Sequence, residues 1–272
     1  MGLRQAARAL IDARLRRLSP LARDDWQSSA MVIAPHPDDE TLGCGGTIRK
    51  KIAAGVPVSF VFVTDGGASH SGRVTREELR HMREAEAHEA VRRLGGAADS
   101  VSFLRYPDSD ASAHIDKIAA DIARLLRQTG AQSVFVPHAK DPPADHAAVH
   151  AATIKGIRAY GRPVTVYEYP IWYWYHWPWV RVIGDMPGMW RTATRQTFRA
   201  RGGLDALFAL NRQAYVGDVL DVKRAALAAH ASQTRRPDDD ADWITLDDLA
   251  GGEFVGRLMS DYETFHRYQV NA

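Results

Sequence analysis

Short apolar runs alternate with segments of helical period through the first 170 residues of the chain. The runs that predict strands are Ala30–Ala34, Val58–Thr64, Ser100–Leu104, Ser133–Val136 and Val164–Tyr169. The segments that predict helices lie between them, at about Thr41–Ala54, Thr75–Leu94, Ser112–Gln128 and Asp145–Ala159. Continuously apolar strands suit burial on both faces. The alternation predicts an α/β fold, a Rossmann-like, doubly wound, mostly parallel sheet with helices on both faces and a core from about residue 28 to 170.

An aromatic-rich segment follows the predicted core. Five of the seven tryptophans fall within nineteen residues, at Trp172, Trp174, Trp177, Trp179 and Trp190. Pro170, Pro178 and Pro187 argue against one regular helix, so we interpret residues 170 to 212 as an insertion or lid. Aromatic rings stack on sugar rings, which makes Trp172 and Trp174 candidate substrate-binding residues. The alternatives are an acyl-chain or membrane-interface role and, as the commonest role of such clusters, packing in a satellite core.

The two ends of the chain add further elements. Residues 213 to 272 predict a strand near Ala214–Leu220, a helix over Asp221–Ala231 and a terminal helix over Gly251–Tyr268. No repeat of solenoid period occurs, so residues 1 to 272 are interpreted as a single domain with a C-terminal elaboration. The N-terminus is amphipathic and punctuated by arginine. We expect it to pack on its own domain, with a membrane surface or a partner helix as the alternatives.

Composition narrows the chemistry. Thirty-five Lys and Arg against 33 Asp and Glu give a formal charge of +2, which argues against nucleic acid as the main partner. No apolar run is long enough to predict an integral membrane segment, and we expect a cytoplasmic protein. Cys44 is the single cysteine, so thiolate-rich metal sites are excluded. A metal would have to be held by carboxylates and some of the 11 histidines.

Polar residues follow three of the predicted strands, where an open parallel sheet binds its ligands. The first strand leads into His36-Pro37-Asp38-Asp39-Glu40, the second into Thr64-Asp65-Gly66-Gly67, and the fourth into His138 and then Asp141 to His146. Three consecutive carboxylates in a buried site call for a nearby cation. A histidine, a carboxylate and a distant histidine form the three-ligand set of a catalytic zinc.

The chain resembles the LmbE/PIG-L family of zinc-dependent N-deacetylases in several motifs. They are Ala34-Pro35-His36-Pro37-Asp38-Asp39-Glu40-Thr41-Leu42-Gly43-Cys44-Gly45-Gly46, the later Asp145-His146, Val63-Thr64-Asp65-Gly66, Arg83-Glu84-Ala85-Glu86, and Lys223 through His230-Ala231-Ser232-Gln233. The resemblance implies a hydrolase that removes an acyl group, usually acetyl, from the amide of an amino sugar such as N-acetylglucosamine in a conjugate. It implies Zn2+ as cofactor, with another divalent transition metal as an alternative.

The resemblance also implies roles for individual residues. His36, Asp39 and His146 match the family's zinc ligands, and Asp38 matches its general base. Arg83 matches a helix arginine associated with substrate binding in relatives.

Further positions are assigned with less direct support. Asp145 is expected to orient a ligand or a catalytic histidine, and His230 is placed at the rim of the site. Pro143 stands where many relatives carry a histidine that assists the oxyanion or the leaving amine; His138, His230 or Asp38 could take over that function.

We therefore expect a metal-dependent N-deacetylase whose partner is a small-molecule or conjugated amino sugar, and the sequence leaves homo-oligomerisation open. Two other classes of function compete with this interpretation. One is a carbohydrate-binding or scaffold protein that has lost activity, for which Pro143 is the supporting feature. The other is a metal-dependent hydrolase that acts on a non-sugar amide or an ester.

Overall fold

The computed structural model describes residues 2–70, 72–181, 189–238 and 240–271. Its strands are β1 (Ser19–Pro20), β2 (Ala30–Ala34), β3 (Val58–Thr64), β4 (Val101–Tyr106), β5 (Ser133–Pro137), β6 (Val164–Tyr169), β7 (Arg212–Tyr215) and β8 (Tyr262–Val270). Its α-helices are α1 (Leu3–Leu15), α2 (Arg23–Gln27), α3 (Asp39–Ala53), α4 (Arg76–Leu94), α5 (Ile115–Thr129), α6 (Ala144–Tyr160), α7 (Met189–Arg199), α8 (Ala206–Ala209), α9 (Leu220–Leu227), α10 (Ala231–Thr234) and α11 (Glu253–Leu258).

The described strands form one eight-stranded sheet in the order β1-β7-β8-β6-β5-β2-β3-β4. All neighbours pair in parallel except β8, which runs antiparallel to both β6 and β7. Alternate residues of β2 enter two apolar cores. Val32 packs on the side of α3, α4 and α9, whereas Met31 and Ile33 pack on the side of α5 and α6. The predicted doubly wound α/β fold with helices on both faces is confirmed.

Close packing of α3 against the sheet depends on its glycines. A Cβ atom at Gly43 would overlap the ring of Tyr169 on β6, and one at Gly46 would crowd Val216. Because Gly43 and Gly46 have no side chains, α3 can pack closely against the sheet. As a result, the first turn of α3 is held directly beside the C-terminal ends of the strands.

The predicted C-terminal helix over Gly251–Tyr268 is wrong. Only Glu253–Leu258 is α-helical there, and Tyr262–Val270 forms β8 between β6 and β7. Alternating side chains of β8 pack on opposite faces of the sheet, as Phe265 does on one core and Tyr268 on the other. This two-residue period, with residues 262–265 paired to β7 and residues 266–270 paired to β6, stabilises a strand where local propensity allows a helix.

A smaller correction concerns the strand predicted near Ala214–Leu220. The strand is Arg212–Tyr215, and residue 220 already begins α9. Gly217–Val219 forms a short 3-10 turn between the two.

The first part of the aromatic-rich segment, residues 170–180, is largely buried. Tyr173, Trp174 and Trp179 belong to the core on the α3 side of the sheet. Residues 189–199 form a regular helix, which the proline content did not predict, whereas residues 182–188, including Pro187, lie outside the described part of the chain. Helix α1 buries Ile11 and Leu15 against the same core. Within the described ranges, no helix is both long and apolar enough to span a membrane.

Candidate active site

The first acidic cluster, which consists of Asp38, Asp39 and Glu40, lies where the turn after β2 leads into α3. His36 follows the strand, Asp38 is the last residue before the helix, and Asp39 opens it. Asp38 has φ of 124°, outside the regions that non-glycine residues normally adopt. The backbone N–H of His36 donates to Asp39 Oδ2 at 2.9 Å, which closes the turn. The unusual backbone conformation at Asp38 turns two consecutive carboxylates toward one pocket.

Three side chains from two elements converge beside this turn. His36 Nδ1 and His146 Nε2 each lie 3.3 Å from Asp39 Oδ2, and the two imidazole centroids are 5.5 Å apart. His146 Nε2 is buried and has no hydrogen-bond partner among the described residues. Zinc bonds of about 2.0–2.1 Å separate two tetrahedral ligands by roughly 3.3 Å. The three groups fit a single small divalent cation.

Carboxylates hold the far side of each of these two imidazoles. His146 Nδ1 lies 2.9 Å from Asp141 Oδ2, and His36 Nε2 lies 3.3 Å from both Asp108 Oδ1 and Asp145 Oδ2. A carboxylate on one ring nitrogen fixes the tautomer that leaves the other nitrogen free for a metal. This arrangement makes His36 Nδ1 and His146 Nε2 the nitrogen atoms available to a cation.

No orienting role was predicted from the sequence for Asp108 or Asp141, although Asp141 begins the polar segment Asp141 to His146 after the fourth predicted strand. Asp108 follows β4, so the argument from strand ends could have found it. Asp141 is fixed by backbone N–H groups of Ile171 and Tyr173, which donate to it at 3.2 and 2.6 Å. These donors come from the aromatic-rich segment, which thereby supports the orientation of His146.

The buried histidines and carboxylates of this site shift the pKa values of one another. Burial opposes the charging of His146, but Asp39 and Asp141 raise its pKa to about 9. Burial likewise opposes ionisation of Asp39, yet His146 and His36 lower the pKa of that carboxyl. Since a metal ligand must give up its proton, a divalent cation would replace the positive charge of the protonated imidazoles. The carboxylates of the site therefore stabilise a positive charge between them, carried either by the imidazoles or by a bound cation.

Asp38 is held by Arg83. Arg83 Nη2 lies 3.3 Å from Asp38 Oδ2 and also donates to the carbonyl of Pro37, while Nη1 donates to the carbonyl of Gly66 at 3.1 Å. Burial raises the pKa of Asp38 to about 7, with Arg83 acting against that rise and Asp39 adding to it. Arg83 is itself buried; its Nη2 is committed to the turn that carries Asp38, and its Nη1 to the loop that follows β3.

His230 lies behind the first turn of α3. Its Nε2 is 2.9 Å from Glu40 Oε1, and both residues are fully buried. Glu40 in turn accepts the backbone N–H of Asp38 at 2.9 Å. His230 does not line the pocket in front of the acidic cluster and supports the turn from behind.

A pocket of about 270 Å³ opens in front of the cluster. Its lining includes His36, Asp38, Asp39, Arg83, Asp108, Pro143, Trp172 and Phe254. Trp174 is absent from this lining. It is buried against Trp179 and stacks on the Arg257 guanidinium at 4.0 Å. Of the two candidate substrate-binding tryptophans, Trp172 faces the pocket, and the environment of Trp174 favours core packing.

Three histidines, His138, His150 and His266, surround Glu168 on β6, and we call this group the second cluster. His150 Nε2 lies 2.7 Å and His266 Nδ1 3.4 Å from the Glu168 carboxylate, and the Tyr268 hydroxyl donates to it at 2.8 Å. His138 Nε2 lies 3.6 Å from Glu168 Oε2.

The second cluster is poorly suited to a metal. His138 Nδ1 accepts the backbone N–H of Lys140 at 3.0 Å, so the proton of the neutral ring is on Nε2, the nitrogen that faces Glu168. A metal there would require removing the last ring proton.

Comparisons with known proteins agree with the geometry. The family model described as PIG-L: GlcNAc-PI de-N-acetylase matches residues 31–157, a range that contains His36, Asp38, Asp39, Arg83 and His146. The chain is 27% identical to a probable N-acetyl-alpha-D-glucosaminyl L-malate deacetylase 2 of Bacillus cereus, over 75% of this chain and 83% of that protein.

Two further similarities extend this result. The chain is 26% identical to a 1D-myo-inositol 2-acetamido-2-deoxy-alpha-D-glucopyranoside deacetylase of Rhodococcus erythropolis, over 75% of this chain and 80% of the relative. Its fold resembles that of an N,N'-diacetylchitobiose deacetylase from Pyrococcus horikoshii, with a TM-score of 0.63 and 20% identity over 98% of this chain and 93% of the other. At that identity the structural likeness supports the fold alone.

Proposed function

We propose that the chain removes the acetyl group from an N-acetylated amino sugar or its conjugate, because residues 31–157 match the PIG-L family model and the relatives above are named as deacetylases. One observation carries the proposal. Two imidazole nitrogens and Asp39 converge at cation-binding distances, with Asp38 beside them, at the base of a pocket. The relatives named above act on sugars that carry an acetylated amine, which supports the choice of substrate class.

His36, Asp39 and His146 would hold the metal, for which zinc suits the two-histidine, one-carboxylate donor set. A bound zinc polarises the amide carbonyl and lowers the pKa of water in its coordination sphere. Asp141 keeps His146 in the required tautomer, and Asp145 with Asp108 does the same for His36. Asp145 is therefore assigned an orienting role, as the sequence analysis expected.

Asp38 is proposed as the general base and then the general acid. It accepts a proton from the attacking water as the new carbon–oxygen bond forms. When the carbon–nitrogen bond breaks, the carboxyl returns that proton to the amine nitrogen, and the products are a free amine and acetate. Arg83 is proposed as the residue that positions Asp38, since its guanidinium holds both the carboxylate and the Pro37 carbonyl.

Pro143 stands where many relatives carry a histidine that assists the leaving amine, which favours Asp38 as both general base and general acid. His138 is buried with its Nδ1 bonded to a backbone N–H, and His230 is fully buried against Glu40. Neither side chain lines the pocket. Asp38 is the one of the three candidates that does, so it is the group available to protonate the leaving amine.

The pocket suits one sugar ring. Its volume of about 270 Å³ lies just below the range of about 300–1,000 Å³ for small-molecule sites. Trp172 and Phe254 offer apolar surface on which a sugar ring can pack, and Ser109 and Gln233 offer polar groups for its hydroxyls. The conjugated part of a larger substrate would extend outside.

The deciding experiment is a screen of the zinc-loaded protein against N-acetyl sugars, their conjugates, and non-sugar amides and esters, with released acetate as the readout. We expect turnover of at least one N-acetyl sugar. Turnover confined to non-sugar amides or esters would overturn the proposed substrate class. Sugar binding without acetate release, in a protein shown to hold zinc, would instead support an inactive carbohydrate-binding protein.

A variant then tests the assignment of Asp38. Asp38→Asn should keep its metal, because Asp38 is not among the proposed ligands, yet lose about 10²–10⁴-fold in turnover. The matched control is Asp110→Asn, on an exposed carboxylate near the pocket. Full turnover by Asp38→Asn would remove Asp38 as the proton-transfer group.

A further inference from the structure

Two segments outside residues 31–157 carry a higher net positive charge than the whole chain. Residues 2–17 and 189–209 contain nine arginines and two aspartates, a formal charge of +7. The whole chain carries +2, so the remaining residues carry −5. The small net charge of the chain is therefore the sum of a strongly positive part and a negative part.

The two segments are neighbours in the fold. Helix α1 packs against α8, and Trp179 donates its indole N–H to Asp12 of α1 at 3.0 Å. The same Trp179 packs closely against Gly203, which precedes α8. We call the surface formed by residues 2–17 and 189–209 the arginine-rich face.

Most of its arginines have no acidic partner among the residues that the structure describes. Arg4 and Arg8 pair with Glu253 and Asp12. None of the other seven forms an ion pair with a described residue; they are Arg14, Arg16, Arg17, Arg191, Arg195, Arg199 and Arg201, and all seven are exposed.

The arginine-rich face also exposes large apolar side chains. Among the described residues, six of the nine exposed large hydrophobic side chains lie on it: Leu3, Leu10, Trp190, Phe198, Leu204 and Phe208. Leu3, Leu10, Phe198 and Phe208 are between 75% and 83% exposed. Exposed apolar side chains concentrated on one surface indicate an interaction site.

We propose that the arginine-rich face binds the surface of a membrane that contains anionic phospholipids. Amphipathic helices with arginine on their polar side and Leu, Phe or Trp on the other lie in the lipid interface without crossing it. Anionic headgroups would pair with the unpaired guanidinium groups, and Phe198 and Phe208 would enter the boundary of the acyl chains. Binding of this kind needs no spanning helix.

Other occupants fit the face less well. A second copy related by a two-fold axis would set arginines against arginines, because such an interface brings the same surface together. A nucleic acid would neutralise the arginines but leave Leu3 and Leu10 in water. A lipid surface satisfies both the charge and the apolar side chains.

The inference is independent of the proposed reaction and concerns a surface outside the pocket. Its test is sedimentation of the full-length, zinc-loaded protein with vesicles of equimolar phosphatidylcholine and phosphatidylglycerol, and with vesicles of phosphatidylcholine alone. We expect binding to the mixed vesicles that weakens with added salt, and much weaker binding to the neutral ones.

Matched triple variants locate the surface. Replacing Arg191, Arg195 and Arg199 by Gln should weaken vesicle binding about a hundredfold, since each arginine near an anionic surface contributes about fivefold. Replacing Arg124, Arg158 and Arg162 by Gln removes the same charge from exposed positions on or just after α5 and α6, on the opposite face of the sheet, and should change binding by less than about fivefold in total.

Two more variants complete the test. One repeats the charge test in case the first triple variant does not fold, and the other tests the apolar side chains. Arg14→Gln with Arg16→Gln and Arg17→Gln repeats the charge test on the other segment. Phe198→Ser with Phe208→Ser should weaken binding at least tenfold with the charge unchanged. The proposal is overturned if the wild type stays in the supernatant with mixed vesicles or binds neutral vesicles equally well. It also fails if the control triple loses as much binding, or if the face instead mediates self-association or binding to RNA.

Discussion

Among the described residues, two clusters in which a pair of histidines faces one buried carboxylate lie at the same edge of the sheet. In one, His36 and His146 face Asp39; in the other, His138 and His266 face Glu168. Helix α6 serves both, because His146 and His150 are one turn apart and reach different clusters. The composition of the two clusters is nearly the same.

What differs is the group behind each imidazole. Behind His36 and His146 stand carboxylates, which accept a ring proton and leave the opposite nitrogen free. Behind His138 stands a backbone N–H, which takes the lone pair and leaves the proton facing Glu168. We infer that the first cluster can bind a metal and that the second holds β8 and α6 to β6 through Glu168. The two clusters differ in whether a carboxylate or a backbone N–H contacts the ring nitrogen that points away from the shared carboxylate. They do not differ in the kinds of residue that compose them.

The largest expected effect comes from Asp39→Asn. The neutral amide keeps the shape of the side chain but removes the anion that both imidazoles face. We expect the variant to lose its bound zinc and, with it, its deacetylase activity, as measured by elemental analysis of the dialysed protein and by acetate release. Retention of a full equivalent of zinc would contradict the assignment of Asp39 as a ligand.

The same change in the other cluster should have a different effect. Glu168→Gln removes a buried charge on which His150 and Tyr268 converge, and breaking such an arrangement costs about 3–5 kcal/mol of unfolding free energy. Zinc content should stay as in the wild type. Urea unfolding measures the loss, and Asp116→Asn, on an exposed carboxylate, should change stability by less than about 0.5 kcal/mol. Loss of zinc from Glu168→Gln with the fold intact would show that the second cluster also binds metal.

Much of this contrast was accessible from the sequence, but not all of it. His36, Asp38 and Asp39 are nearly consecutive and directly follow a predicted strand, so local order alone brings them together. Glu168 and His266 are 98 residues apart and meet only because β8 pairs antiparallel with β6.

The position of β8 could not be read from its own residues. A short segment with aromatic and polar residues is compatible with a helix or a strand, and pairing with two distant neighbours decides between them. Two of the three carboxylates behind the imidazoles, Asp108 and Asp141, were given no orienting role for the same reason, whereas Asp145 was predicted to orient a ligand or a catalytic histidine. Asp108 reaches His36 from the end of a different strand, a contact that appears only once the sheet is assembled.

A smaller effect is expected from Asp108→Asn, which weakens the acceptor behind His36 while Asp145 remains. Changes at groups that orient a metal ligand typically lower metal affinity about 10–100-fold. Zinc competition with a chelator measures that affinity, and turnover at saturating zinc should stay close to the wild-type value. Asp110→Asn, on the same loop but exposed, is the control and should leave the affinity unchanged. An unchanged affinity in Asp108→Asn would mean that Asp145 alone orients His36.

The smallest effect is a pH dependence confined to the second cluster. Burial opposes ionisation of Glu168, but His150 and His266 outweigh it and lower the pKa of the carboxyl in the folded protein. An unfolded glutamate titrates near about 4.3, so the unfolded chain takes up this proton first as the solution is acidified.

The stabilisation by Glu168 is therefore complete above about pH 5 and is lost as the pH falls through that unfolded value toward the lower folded one. We expect the difference in unfolding free energy between the wild type and Glu168→Gln to shrink over this acid range, as followed by urea denaturation at a series of pH values. Other carboxylates titrate in both proteins and cancel in the difference. A difference that stayed constant or grew on acidification would mean that Glu168 is not held as an anion, and the contrast between the two clusters would then have to rest on the metal measurements alone.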